Sequence, residues 1–256
     1  NTVTLPRWPG GNYYLIVKAD YNNSVYESVK ANNTLAVPIS LSMPDLAPVS
    51  VSVPGSGVAG QSMQVITVVT NRGNGTASPG WYDRLYLSTD AVWEDSAYQL
   101  GYTYLSQAAT NGTSYRVTNT VTLPKWAGGT YYVILKVDDN NNVFESNEIN
   151  NWSAPSVITL GVPDLAPVAL SAPAIGVPGK QIQAITVVTN QGNSTAYSPW
   201  TDPVYLSSNE VWDATANAMD YWDQGQAVTN GTSYRTTNTM TLPPWPAGAY
   251  YLIVRA

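Results

Sequence analysis

Two short segments of the chain place oxygen-bearing side chains at alternate positions. The oxygens fall at positions i, i+2 and i+4, and a glutamate follows three residues later. The two sets are Asp138, Asn140, Asn142 and Glu145, and Asp20, Asn22, Ser24 and Glu27. A tight turn with alternate oxygens on its inner side suits calcium, which takes roughly six to eight oxygen ligands. Both segments lack the glycine that shapes an EF-hand loop, so the predicted calcium site is of a different kind.

The same residues also suit a turn that holds no ion. Asp and Asn side chains often accept hydrogen bonds from nearby backbone N–H groups and so cap the turn between two strands. On this interpretation, Glu145 pairs with backbone N–H groups near Asn150 and Asn151 and acts as a structural clasp. Both interpretations stay open on the sequence alone.

Paired carboxylates are also what a glycosidase needs, with one acid on each side of the bond that it cleaves. Acids close together in turns are common, however, and these recur along the chain, whereas an active site normally occurs once. The chain has no histidine and no cysteine, so it cannot form a Ser–His or Cys–His nucleophile. No glycine-rich phosphate loop leads from a strand into a helix. We therefore predict that the chain is not an enzyme and requires no cofactor.

The composition narrows the range of partners. The net charge is −6 and only 11% of residues are charged, against roughly 25% in typical soluble domains. Without clustered Lys and Arg, binding to nucleic acid or to anionic lipid is disfavoured. There is no apolar stretch long enough to span a membrane. We predict neither nucleic-acid binding nor membrane insertion for this segment.

The acidic segments recur because the sequence repeats itself, with a period of about 119 residues, a normal single-domain size. PDLAPV at 44–49 returns at 163–168, and NGTSYR at 111–116 returns at 230–235. A further acidic loop changes between the copies: Asp90, Glu94 and Asp95 become Asn209, Asp213 and Ala214. The loss of carboxylates in the second copy argues against an obligatory metal ion in that loop.

The ends of the chain fall inside the repeat. Residues 1–42 correspond to the C-terminal part of one unit, 43–161 to a complete unit, and 162–256 to a unit that lacks its last strand. We expect either a window cut from a longer array or a protomer that its neighbours complete by head-to-tail strand donation. The joints near 42–45 and 161–164 are short and contain proline, which predicts limited bending.

Within the complete unit, short alternating segments rich in β-branched and aromatic residues predict an antiparallel sandwich. Tyr115, Val117, Val121 and Leu123 alternate with polar residues, as on a strand with one buried face. The predicted strands lie near 45–53, 63–71, 82–88, 99–106, 114–123, 130–138 and 152–160. No segment has sustained helical spacing, so the predicted fold class is all-β.

Tryptophans recur in register with the repeat. They are Trp8, Trp126 and Trp245, the pair Trp81 and Trp200, and the pair Trp93 and Trp212. A tryptophan that returns at one position usually packs at the same place in each copy. Contact between subunits and stacking on sugar rings are the other two interpretations.

Three elements together resemble the CARDB-type, cell-adhesion-related repeats of bacterial and archaeal surface proteins. They are Pro-Asp-Leu at 44–46, Tyr-Leu-Ser-Thr-Asp at 86–90 followed by Trp93, and Gly-Thr-Tyr-Tyr at 129–132 leading to Asp138, Glu145, Glu148, Asn150 and Asn151. The resemblance implies tandem immunoglobulin-like seven-stranded β-sandwiches, found in large extracellular proteins, and it implies no catalysis. The first copy departs from the pattern, with Val29-Lys30 where the second has Asn147-Glu148.

These observations predict a non-enzymatic structural or adhesive module of a large extracellular prokaryotic surface protein or filament. The expected partners are other copies of the repeat, in the same chain or head-to-tail in a filament. Two alternatives remain: a carbohydrate-binding module with a polysaccharide partner, and an accessory domain of a secreted hydrolase.

Overall fold

The structure is a computed structural model that describes residues 2–256, and every regular element in this range is a β-strand. The predicted all-β fold is therefore confirmed. The described residues contain no helix that is long and apolar enough to cross a membrane. The number of tandem sandwiches and the domain bounds 1–42, 43–161 and 162–256 stay predictions.

The strands follow the repeat along the chain. In the first part they are β1 (Gly11–Lys18) and β2 (Thr34–Leu41). In the central part they are β3 (Leu46–Ser52), β4 (Ser56–Val58), β5 (Ser62–Asn71), β6 (Trp81–Ser88), β7 (Tyr98–Leu105), β8 (Ser114–Thr122), β9 (Gly129–Lys136) and β10 (Ser156–Gly161). In the last part they are β11 (Leu165–Ser171), β12 (Gln181–Asn190), β13 (Trp200–Ser207), β14 (Asn217–Gln224), β15 (Ser233–Thr241) and β16 (Tyr251–Val254).

The chain divides into two compact units. Unit 1 comprises 2–55, Ser62–Leu123 and Thr130–Ile158, and unit 2 comprises Ser56–Gln61, Pro124–Gly129 and Thr159–Ala256.

Unit 1 contains a sandwich of two facing sheets. One sheet has the strand order β3-β5-β8, and in the other β10, β9, β6 and β7 lie side by side. Val65 and Val69 on one sheet and Leu85 on the other are fully buried, as expected where apolar side chains alternate along strands that pack on one face. The Tyr115 hydroxyl on β8 donates a hydrogen bond to Asp83 on β6 at 2.6 Å, which ties the two sheets together.

Unit 1 also contains the hairpin β1–β2, paired from Gly11↔Leu41 to Lys18↔Thr34. Leu15 and Val17 on this hairpin are 48% and 62% exposed. Their counterparts on β9, Val133 and Leu135, are buried. The difference arises because β9 has the rest of a sandwich to pack against, whereas β1 pairs with β2 alone among the described strands.

Unit 2 has sheets of order β11-β12-β15 and β14-β13-β16. Its core contains Ala184, Val204 and Met240, with Ile182 and Leu252 packed against them. The short strand β4 and residues 159–161 of β10, which also belong to this unit, pair in parallel.

Two details of the strands differ from the sequence-based expectation. β4 was not predicted, because its three residues Ser-Gly-Val show no alternation. The last strand of the central repeat, expected from 152, begins at Ser156. Trp152 instead forms an isolated bridge with Lys136.

Candidate functional site

The acidic turn after β9 is closed by its first carboxylate. Asp138 Oδ1 accepts a hydrogen bond from the Asn142 N–H at 3.0 Å, and Asp138 Oδ2 accepts one from the Val143 N–H at 2.8 Å. Asp138 and Asn141 have φ values of 44° and 50°, in the left-handed region that Asp and Asn tolerate better than most residues. The side chain of Asp138 therefore replaces the backbone hydrogen bonds that this tight turn cannot make.

The two asparagines of the turn bind the chain around the start of β6. Asn140 Oδ1 accepts a hydrogen bond from the Tyr82 N–H at 2.9 Å, and Asn142 Nδ2 donates one to the Gly80 carbonyl at 2.7 Å. Both asparagines therefore hold the turn against a neighbouring segment.

Glu145 forms a buried clasp to the beginning of the sandwich. Its Oε2 accepts a hydrogen bond from the Leu46 N–H, and its Oε1 accepts one from Asn151 Nδ2 at 3.0 Å. Nearby, the Ser146 N–H donates to the Pro44 carbonyl at 2.8 Å. The backbone N–H that Glu145 binds thus belongs to Leu46, whereas the sequence had suggested one near Asn150 or Asn151.

These contacts bear on the predicted calcium site. Within residues 2–256, no three Asp, Glu, His or Cys side chains converge in a way that could hold a metal ion. The oxygens of Asp138 and Glu145 and the Oδ1 of Asn140 already accept hydrogen bonds from the protein. An ion bound there would have to displace those donors. Calcium at Asp138, Asn140, Asn142 and Glu145 stays a prediction.

The earlier copy of the turn, after β1, has the same local form. Asp20 Oδ1 accepts from the Ser24 N–H at 2.7 Å and Oδ2 from the Val25 N–H at 3.1 Å. Glu27 Oε2 accepts a hydrogen bond from Asn33 Nδ2 at 2.7 Å. Calcium at Asp20, Asn22, Ser24 and Glu27 likewise stays a prediction.

Burial perturbs the carboxyl groups of the central sandwich. Desolvation raises the pKa of Glu145 to about 8 and that of Asp83 to about 6, although hydrogen bonds from Leu46 and Tyr115 oppose the shifts. Desolvation also raises the pKa of Asp138. Removing a carboxylate from water disfavours its charged form, so ionisation of these groups lowers the stability of the fold.

A buried asparagine organises each joint between repeats. Asn71 Oδ1 accepts from the N–H groups of Asp45 and Gly73, both at 3.0 Å. Its Nδ2 donates to the carbonyls of Gly75 and Ala109, both at 2.8 Å. Asn71 thus connects the start of β3, the turn after β5 and the segment before β8.

Asn190 makes the same set of bonds in unit 2. It accepts from the N–H groups of Asp164 and Gly192 and donates to the carbonyls of Ser194 and Val228. The signal in the sequence was its recurrence in NRGNG and NQGNS, but its burial could not be read from the pattern.

Glycine is required beside this asparagine. A Cβ on Gly73 would lie 2.3 Å from the Met43 carbonyl oxygen, and one on Gly192 would lie 2.4 Å from that of Val162. Asn74 and Asn193 then accept hydrogen bonds from the Met43 and Val162 N–H groups, which precede the Pro-Asp pair. Each joint is therefore fixed directly onto the turn of the repeat that follows it.

The recurring tryptophans pack against tyrosines. Trp81 is fully buried, with its ring centroid 6.2 Å from that of Tyr115. The matching distance from Trp200 to Tyr234 is 6.0 Å. The packing interpretation therefore holds for this pair of positions.

A separate aromatic cleft of about 340 Å³ lies near β9. The rings of Trp93 and Trp152 are 4.7 Å apart, and Lys136 Nζ lies 4.9 Å from the Trp152 ring. Lys136 also pairs with Asp139 at 3.1 Å. Both indoles are half-buried, which leaves part of each ring open to a ligand.

Comparison with known proteins identifies one family. Residues 43–155 match the model of the CARDB family. No curated protein matches the sequence.

Several solved structures resemble the fold. A crystal structure of the CARDB domain of the PF1109 protein from Pyrococcus furiosus, in complex with di-metal ions, has a TM-score of 0.36 and 20% identity, and the match covers 46% of this chain and 89% of that domain. A solution NMR structure of the same domain has a TM-score of 0.37 and 20% identity, and covers 47% and 97%. A beta-glucosidase from Listeria innocua in complex with glucose has a TM-score of 0.29 and 15% identity, and covers 54% and 19%.

The family match includes the Pro-Asp-Leu start, the buried Asn71 and the Asp138–Glu145 turn in one continuous segment. These are the residues whose contacts organise the central sandwich. Residues 43–155 therefore belong to the CARDB family of adhesion-related domain modules of surface proteins.

Proposed function

We propose that this chain is a structural or adhesive repeat module, without catalytic activity of its own, of a large extracellular prokaryotic protein or filament. Its partners are other copies of the same repeat. The observation that carries the proposal is the joint, which is built twice from the same buried asparagine and the same close glycine contact. A protein built as an array of repeats needs each repeat to be anchored firmly at the point where the chain enters it.

The chemistry of the joint supports this role. Asn71 and Asn190 are fully buried, and each uses both ends of its amide in hydrogen bonds to backbone. A net gain of about 1 kcal/mol for each such bond, and a larger penalty if a buried partner is left unpaired, stabilises the start of each repeat without disulfides. The chain has no cysteine with which to form one.

Antibody labelling of the producing cells tests the proposed location. Antibodies raised against the 256-residue chain should label intact cells without permeabilisation, and external protease should remove the signal. A cytoplasmic protein of the same cells, labelled only after permeabilisation, is the control. Labelling of this chain only after permeabilisation would contradict the proposal.

Polysaccharide binding is the second candidate function, and the aromatic cleft favours it. Half-buried indoles beside a lysine are suited to stacking on a sugar ring and bonding to its hydroxyls. Titration with cell-wall polysaccharides should quench tryptophan fluorescence in the native chain but not in Trp93→Ala. Trp222→Ala is the matched control, because Trp222 is exposed on β14 and distant in sequence. Equal quenching in all three proteins would argue against this cleft as the site.

A further inference from the structure

The turn before β8 carries the acceptor sequence for an N-linked glycan, and the last repeat carries it again before β15. Asn-Gly-Thr at 111–113 returns at 230–232, one repeat later. Asn-X-Ser and Asn-X-Thr are the sequences on which glycans are attached in surface loops of secreted proteins. Such sequences occur seven times in this chain, so the structure has to distinguish among the seven asparagines.

The recurring turn presents both side chains that the sequence motif requires. Asn111 and Asn230 are exposed, and so are Thr113 and Thr232 two residues later. Within residues 2–256, neither asparagine amide makes a hydrogen bond. An enzyme that attaches a glycan can therefore reach the amide and the hydroxyl in both copies.

The backbone of this turn is held in place by the buried asparagine of each repeat. The Gly112 N–H donates to the Asn71 carbonyl at 2.9 Å, and the Asn71 N–H donates to the Thr113 carbonyl at 3.0 Å. Asn190 makes the same pair of bonds in the last repeat, at 2.8 and 3.0 Å. The exposed amide therefore stands on a turn whose backbone is fixed.

The same bonds preserve the amide. In an Asn-Gly pair the glycine nitrogen can attack the side-chain carbon of the asparagine and expel ammonia, which destroys the acceptor. The nitrogens of Gly112 and Gly231 would first have to give up their hydrogen bonds to Asn71 and Asn190. We therefore expect both amides to stay intact in the folded chain.

The other five motifs lack this combination. The Oδ1 atoms of Asn74 and Asn193 accept backbone hydrogen bonds where the chain enters each repeat. Asn151 is buried, and its amide donates to a carboxylate. The motifs at Asn22 and Asn32 have no counterpart in the central repeat. Among the motifs present in both the central and the last repeat, the turn at 111 and 230 alone leaves the whole amide without a hydrogen bond within the described residues.

We propose that Asn111 and Asn230 each carry an N-linked oligosaccharide. The donor is an oligosaccharide joined to a lipid carrier through a diphosphate. The amide Nδ2 attacks the anomeric carbon, and the new N–C bond forms as the C–O bond to the diphosphate breaks. The diphosphate leaves with the bonding electrons, and the amide proton passes to a base of the transferase.

The position of the glycan gives it a use in the fold. Asn71, which holds the turn, also accepts a hydrogen bond from the Asp45 N–H just before β3. A glycan on Asn111 therefore stands at the end of the sandwich where the chain enters it. A bulky, hydrated oligosaccharide there hinders external proteases from cutting the chain between repeats. This inference rests on the proposed function in one respect, that the chain is exported from the cell.

Mass spectrometry of the chain purified from the producing cells tests the proposal. Peptides that contain Asn111 and Asn230 should carry a glycan, and those that contain Asn74, Asn151 and Asn193 should not. Both glycosylated asparagines unmodified would overturn the proposal, and so would glycans confined to the other three. If antibodies label intact cells while Asn111 and Asn230 are unmodified, this inference fails and the proposed function stands.

Variants made in the same cells show whether the turn is read as an acceptor. Thr113→Ser keeps the hydroxyl and should keep the glycan on Asn111. Thr113→Ala and Asn111→Gln should each lose it, while the glycan on Asn230 stays as an internal control. Thr113→Ala also loses one hydrogen bond to the Thr110 carbonyl, so melting temperatures of all three variants check that the fold is kept. A glycan on Asn111 that survives Thr113→Ala would contradict N-linked attachment through this motif.

Limited proteolysis measures the effect of the glycan. The chain without a glycan on Asn111, made as Asn111→Gln, should be cut between the first and central repeats several-fold faster than the native chain. Thr113→Ser should be cut at the native rate.

Discussion

The turn after β1 and the turn after β9 have the same local structure but different long-range contacts. In both, the first aspartate caps two N–H groups, those of residues four and five positions later. In both, two non-glycine residues have positive φ, which lies between 42° and 56°. The agreement indicates that the shared Asp-x-Asn-Asn spacing favours the same turn in both places.

The glutamates at the ends of the two turns differ in their partners. Glu27 bonds to Asn33 within its own hairpin. Glu145 bonds to the equivalent Asn151 and also to the Leu46 N–H, 99 residues away, and is 4% exposed. The comparison distinguishes a bond within one hairpin, made by Glu27, from a clasp that also reaches the first strand of the sandwich, made by Glu145.

The largest effect is expected when the clasp is removed. Glu145→Ala leaves the Leu46 N–H and the Asn151 amide without a partner inside the protein, and should lower the free energy of unfolding by about 3 kcal/mol. Glu27 is the half-buried equivalent of Glu145 in the earlier turn, and Glu27→Ala should lower the free energy of unfolding by less than about 1 kcal/mol. Urea denaturation followed by tryptophan fluorescence measures both. Equal losses would mean that the contact with Leu46 adds no stability.

The joint asparagines are expected to be nearly as sensitive. Asn71→Ala and Asn190→Ala each remove four hydrogen bonds from a buried site and should cost about 2 kcal/mol or more. The two losses should be similar, because the bonds are the same in each repeat. Asn74→Ala, which removes a single bond to Met43, is the matched control and should cost about 1 kcal/mol. The measurement is again urea denaturation.

The sequence predicted the strands and turns whose conformation depends on residues that are neighbours along the chain. The alternation around Tyr115–Leu123 located β8 to within a residue, and the acidic spacing located both turns. It did not locate β4, whose strand conformation depends on pairing with β10. Nor did it identify Leu46 as the partner of Glu145, because a contact across the whole sandwich leaves no local pattern. The burial of Asn71 was missed for the same reason.

The stability that Glu145 contributes is also expected to depend on pH. The pKa of Glu145 in the folded chain, about 8, is above its ordinary value of 4.5. The folded state therefore holds this proton more tightly than the unfolded state does. The resulting stability is fully present below about pH 4.5 and is lost as the pH rises through about 8.

Asp83 changes the stability in the same direction over a lower pH range, because burial raises its pKa from the ordinary value of 3.8 to about 6. The free energy of unfolding should consequently fall, on the order of a few kcal/mol in total, between pH 5 and 8. Glu145→Gln should flatten the part of this slope above pH 6, because it keeps the size of the side chain but cannot ionise. Urea denaturation across the pH range, with Glu27→Gln as the control, measures the slope. A slope that Glu145→Gln leaves unchanged would contradict the assignment.

The smallest expected effect is that of calcium on the melting temperature. Its measurement distinguishes the two interpretations of the acidic turns, calcium binding and turn capping. An ion that binds only the folded state raises the melting temperature as its concentration increases. In both turns, however, the aspartate oxygens already accept two backbone hydrogen bonds, and an ion would have to displace them. We therefore expect melting temperatures in millimolar calcium and in chelator to agree to within about 1 °C. Asp138→Asn, which keeps one of the two acceptor oxygens, should then lower the melting temperature equally with and without calcium. A rise with calcium that this variant abolishes would instead place a bound ion at Asp138 and establish the metal interpretation for the turn after β9.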